Sequence, residues 1–258
     1  MKNLVKLLGI IVLAAVIGFA ITACSNGGDD GDSSDSSDIS GNNGSAINPQ
    51  GANVYLGEDS SFPAPTIYAD VYMYIEGDDF EMLIPTPIGK ITNGKLSFTL
   101  PDVSAYADNG YLLAEEFFDY SEPEGYTETG EYGTTTVTKN TMEVNIPQDA
   151  KALVCEIGFS HEGKEYWLGY GNETTVASPF YVNKPGTLKG EFTEVYNSYT
   201  ITDASTNHTQ NCTFTAGWNV IYTTWTDINK STYTHNMSTN PPANAANMRW
   251  IASIDALR

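Results

Sequence analysis

Three histidines, His161, His208 and His235, are the chain's imidazoles, and their spacing decides the metal question first. They are scattered. His161-Glu162-Gly163-Lys164-Glu165 lacks the second histidine that a metalloprotease helix presents to zinc. It also reads as a hairpin turn, where a solvated His-Glu pair is ordinary. A serine-nucleophile elbow and a phosphate-cradling glycine loop are both missing from the sequence. A glycosidase needs two carboxylates opposed across a cleft, and the abundance of 32 acids selects no such pair. The densest acidic run is Glu115, Glu116, Asp119, Glu122, Glu124, Glu128 and Glu131. Clustered oxygens of this kind chelate calcium or meet a basic partner, but Glu122-Pro123-Glu124-Gly125 marks a solvated turn. The expectation is therefore no catalytic residue, no metal and no cofactor.

Aromatic rings are the other residues with chemistry to offer. Trp218, Trp225 and Trp250 stand among asparagines and threonines in the C-terminal part. Stacked on sugar rings, with Asn and Thr binding hydroxyls, they are the candidate ligand-stacking aromatics. In 218–225 the alternation puts Trp218, Val220 and Tyr222 on one face and Asn219, Ile221, Thr223 and Trp225 on the other. At least one tryptophan is thus expected to leave the main core. Plain packing competes with this reading, because aromatics are favoured in strands and bury large areas.

The elements that must position these side chains read as strands throughout. In 66–75, Ile67, Ala69, Val71, Met73 and Ile75 share one face, while Tyr68, Asp70, Tyr72 and Tyr74 share the other. Asn93-Gly94 sits between strand-like flanks, a strong hairpin signal because both turn positions take positive φ. A second hairpin is expected around His161-Glu162-Gly163-Lys164. Further strands are expected at 187–195, 199–203, 211–215, 218–225, 231–237 and 248–254, with one short helix near 112–119. Short strands at this spacing predict an all-β fold, an antiparallel β-sandwich.

Charge divides the chain. Residues 25–179 hold 27 acids against 5 bases, whereas residues 180–258 hold 5 of each. This asymmetry predicts two small β domains, an acidic one at 51–178 and a neutral, aromatic- and Thr/Asn-rich one at 179–258. A formal net charge of −20 excludes nucleic acid as a partner, since phosphate binding draws on Lys and Arg. Residues 25–50 carry aspartates, Gly, Ser and Asn and no base, so they read as a disordered acidic tether. As a flexible coil its ends would lie on the order of 30 Å apart.

Ahead of the tether, Lys2 and Lys6 precede an apolar run at 7–21, shorter than the roughly 20 residues a membrane span needs. The run ends in Ile21-Thr22-Ala23-Cys24. This start resembles a bacterial lipoprotein signal peptide and its lipobox, which implies cleavage after residue 23 and lipidation of Cys24. Two cysteines then remain, Cys155 and Cys212. Both fall in phase with inward positions and form a candidate disulfide, one that would contribute roughly 4 kcal/mol; two separate buried thiols are the alternative.

The segment 89–101, with Gly94-Lys95-Leu96 and Leu100-Pro101, and the later Gly217-Trp218-Asn219-Val220-Ile221-Tyr222 together resemble an uncharacterised family of bacterial lipoproteins. The first segment is also similar to the strand–turn–strand of transthyretin-like sandwich domains. The family resemblance implies an extracytoplasmic β protein and carries over no catalytic residue. Ser25 after the cysteine, followed by Gly27-Gly28-Asp29-Asp30, is similar to outer-membrane sorting and surface-export tethers. The expected protein is a non-enzymatic lipoprotein of the cell envelope, surface-exposed on the outer membrane and held by its N-terminal lipid, with a binding, adhesion or structural role and a glycan or protein partner on the cell surface. An accessory carbohydrate-binding lipoprotein is the second expectation and an extracytoplasmic hydrolase the third.

Overall fold

The computed structural model describes residues 48–57, 64, 66–113, 122–130, 133–198, 204–229 and 232–254. The leader, Cys24, the tether up to residue 47, the strand expected at 199–203 and most of the 112–119 helix lie outside them.

Period-two alternation becomes paired strands. β2 (Tyr68–Glu76) buries Val71, Met73 and Ile75 completely and turns Tyr68 and Asp70 outward. β4 (Gly89–Thr92) and β5 (Lys95–Phe98) are joined at Asn93 and Gly94, with φ of 51° and 70°. These left-handed values match the twist of the flanking strands, which is why Asn-Gly is chosen there. β10 (Lys151–His161) and β11 (Lys164–Asn172) turn in the same way through Glu162 and Gly163, at 51° and 75°.

With β1 (Gln50–Leu56), β12 (Thr175–Val182) and β17 (Arg249–Ile254), these strands form an eight-stranded closed barrel. Round the ring the order is β1, β17, β11, β12, β10, β2, β4 and β5, returning to β1. β12 fills the fork between β10 and β11: Ala152 pairs with Val182, and Gly171 with Val176. The all-β expectation holds, but the architecture is a barrel with extra strands rather than a sandwich. Alternation fixes which side chains point inward; it does not fix which strand lies alongside. Here the first described strand pairs with the last, Val54 against Trp250, and the closure removes the edges that an open sheet would expose.

A second run of strands extends from the free edge of β12. It proceeds through β15 (Gly217–Asn229), β16 (Thr232–Ser238), β14 (Ala204–Phe214) and β13 (Gly186–Ser198). β13 then pairs with β8 (Gly133–Asn140) and β9 (Glu143–Asn145), and β7 (Thr127–Gly130) lies outside β8. The short β3 (Glu81–Leu83) borders β2, and β6 (Tyr111–Leu112) borders β10. The boundary expected between 178 and 179 falls inside β12, which is hydrogen-bonded along both edges.

Two apolar clusters flank the shared strands. The first holds Val71, Met73, Ile75, Leu153, Cys155 and Trp250, and the second holds Leu113, Phe180, Val182, Leu188, Cys212 and Phe214. β12 and β15 are buried on both faces: Ala177, Val220 and Tyr222 join the first cluster, Phe180 and Ile221 the second.

Candidate functional site

The three tryptophans singled out by the sequence are structural. Trp225 and Trp250 are each only 5% exposed. Trp250 packs edge-on against Phe98 at 5.4 Å and beside Tyr170 at 5.1 Å. Trp218 is half-buried against Tyr181, and its indole Nε1–H donates to the Pro101 carbonyl at 2.7 Å. The predicted alternation in β15 is correct, and both of its faces are packed: Val220 and Tyr222 join one cluster and Ile221 the other. Sequence periodicity could not show this: it assigns faces without saying what covers them.

The same bond ties together the two segments that carry the family resemblance. Pro101 closes the first and Trp218 belongs to the second. Next to it, buried Asn219 locks the β14–β15 turn: Oδ1 accepts from Thr215 N at 2.9 Å, and Nδ2 donates to the carbonyls of Thr215 and Gly217. Gly217, at φ 101°, supplies the left-handed backbone of that turn. Both motifs are thus devices of folding.

Of the two readings of the cysteine pair, a disulfide or two separate buried thiols, the second is the one found. Cys155 and Cys212 are free and buried, and they belong to different clusters. The inward phase of each was read correctly, but the inward sides are two separate interiors. Burial pushes the Cys212 thiol up to about 12 and the Cys155 thiol well above its ordinary value, so neither is a reactive thiolate.

Histidines far apart in sequence do meet. His208 on β14 and His235 on β16 are registered neighbours, and their Nδ1 atoms lie 3.3 Å apart, one donating to the other. Phe192 on β13 and Trp225 on β15 flank the pair, with ring centroids 6.0 Å from His208 and 5.9 Å from His235. Glu194 Oε1 stands 3.7 Å from His208 Nε2, and Tyr233 stacks on His235. Burial, reinforced by His208, depresses His235 to about 4. The Nε2 of His235 and the Nε1 of Trp225 are buried without a hydrogen-bond partner. Sequence reasoning missed the pair because it depends on a parallel pairing of two strands separated by β15. Among the described residues no three His, Cys, Asp or Glu side chains gather as metal ligands. His161 lies in its hairpin, 3.9 Å from Glu162.

The outward face of the barrel offers a different surface. Tyr68, Asp70, Tyr72 and Tyr74 project from β2 as the alternation predicts, with Tyr68 60% exposed. Across β10, Tyr72 registers with Gly158 and Gly158 with Trp167 of β11. Trp167 leans over Gly158, where an added Cβ would lie 3.3 Å from the indole, and its ring reaches Tyr74 at 5.0 Å. Leu83, 42% exposed, sits beside Tyr74 from β3. The one available signal for this ring cluster was the tyrosine alternation; Trp167 joins it through registers that no local pattern encodes.

Comparison with protein-family models, with curated proteins and with solved structures gives no match to this chain.

Proposed function

We propose that this protein is a lipid-anchored component of a bacterial cell envelope that binds a partner at the cell surface without performing catalysis. The observation that carries the reading is the Ile21-Thr22-Ala23-Cys24 sequence directly behind a short apolar run. Two or more acyl chains on such a cysteine hold a protein stably, because each buried methylene contributes about 0.8 kcal/mol. The acidic tether then carries the β body away from the lipid. With 32 acids in the chain against 12 bases, the protein gains nothing from anionic headgroups and depends on its acyl chains for attachment.

The filled barrel supports a binding or structural role over carriage of a cargo. Val54, Val71, Met73, Ile75, Leu96 and Leu153 are all fully buried, so side chains occupy the space that a ligand-carrying barrel keeps open. Contacts with partners then belong to the outside of the molecule.

The test is a Cys24→Ser variant expressed in a bacterial host. The wild type should partition into detergent and show a diacylated or triacylated N-terminal peptide by mass spectrometry. The variant should move to the soluble fraction. Unchanged partitioning of the variant, or an unmodified Cys24 in mature wild-type protein, overturns the proposal.

A further inference from the structure

The outward aromatic face of the barrel carries a charge of one sign. Asp70, Glu76, Glu81, Glu156 and Glu165 share the outward parity of β2, β3, β10 and β11 with Tyr72, Tyr74 and Trp167. Among the described residues of these four strands the lysines are Lys151 and Lys164, at the first positions of β10 and β11 and on the opposite parity. Lys90, across from Asp70 on β4, is the cation at the border of the patch.

Half-exposed rings within a field of carboxylates suit one kind of occupant better than others. An aromatic face attracts a cation within about 6 Å of its centroid, and guanidinium groups use this most often. Carboxylates around it supply the planar acceptors that a guanidinium fork fits. The spacing is also that of an extended chain. Tyr72 and Tyr74 lie two residues apart on one strand, roughly 7 Å, and Tyr72 and Trp167 lie two strands apart, roughly 10 Å. The spacing along β2 matches side chains two residues apart, which share one face of an extended peptide. We propose that the Tyr72–Tyr74–Trp167 face of the barrel is a docking surface for an arginine-rich, extended segment of a partner protein. This rests on the surface-binding reading above and names the chemistry of the partner.

The probe is a short peptide of alternating arginine and glycine, titrated into the full chain in detergent. The control peptide has citrulline in place of arginine, which keeps the shape and removes the charge. The arginine peptide should bind and the citrulline peptide should bind at least about tenfold more weakly, a loss of about 1.4 kcal/mol. Two charge-matched pairs of substitutions then separate docking from bulk attraction. Asp70→Asn with Glu156→Gln should weaken binding about tenfold, whereas Glu124→Gln with Glu128→Gln, on the exposed turn and β7, should change it less than about twofold. Trp167→Leu should weaken binding with no change of charge. Equal weakening by both charge pairs, equal affinity for citrulline, or binding untouched by Trp167→Leu overturns the proposal, as does capture of neutral glycans alone on an array. The shape-preserving Asp70→Asn/Glu156→Gln variant keeps the test decisive if Trp167→Leu unfolds. Because binding is measured in detergent solution, failure here is distinguishable from failure of the lipid anchor.

Discussion

His235 is the residue whose surroundings most constrain its chemistry. Its ring is 4% exposed, sandwiched between Trp225 and Tyr233, and depressed to about 4 against about 6.5 in an unfolded chain. A lowered histidine favours the neutral form in the fold. Its contribution is whole above pH 6.5, declines as pH falls, and is fully lost below pH 4. The groups facing it are His208, which in turn stands 3.7 Å from Glu194, and Tyr233, pushed up to about 12 by burial and so neutral throughout this window. We expect acidification from pH 7 to pH 4 to cost up to about 3 kcal/mol through this ring. In urea unfolding at each pH, His235→Phe should flatten that segment of the profile. A profile of the same slope in the variant would assign the loss elsewhere.

At the scale of elements, the hairpins show how far local sequence reaches. Asn93-Gly94 and Glu162-Gly163 each adopt paired positive φ values, and both turns were readable from turn chemistry alone. Gly94 is the more demanding position: it is buried, and its carbonyl accepts from Val54 N at 2.9 Å, so the turn also seats β1. Gly94→Ala should destabilise the protein by about 1–2 kcal/mol, from the left-handed backbone penalty. Equilibrium denaturation checks this, with Lys95→Ala on the exposed face as the control expected within about 0.5 kcal/mol. What the hairpins could not reveal is the company their strands keep. β10 turns back on β11 as expected, but β12 enters the fork between them and carries the second run of strands on its other edge. Trp225 and Cys212 were placed on their proper faces by alternation. Only the long-range pairings that run from β12 through β15 and β16 to β14 show that the face of Cys212 belongs to a second interior.

For the whole molecule the decisive contact is between the first and last described strands. Val54, Tyr55 and Leu56 of β1 pair in parallel with Trp250, Ile251 and Ala252 of β17, and β17 also covers the length of β11. Removing residues 248–258 would leave β1 and β11 with unpaired edges and would expose Phe98 and Tyr170 where Trp250 now packs. We expect this truncation to abolish the cooperative thermal transition and the near-ultraviolet circular dichroism of the tyrosines and tryptophans. A cooperative transition within a few degrees of the full chain would show that the barrel stands without its last strand. The all-β character was legible in the sequence because strand periodicity is local, whereas the expected sandwich was not the architecture found. The closure was not legible, because nothing in residues 50–56 or 249–254 names the other as its neighbour.

That late contact has a consequence for how the chain is delivered. Strand β1 cannot pair with β17 until residues 249–254 have been made, since long-range pairing comes only after the intervening loop has closed. If the leader directs export, a chain passed through the membrane as it is made reaches the far side with this pairing still to form. It sets into its final form on the far side.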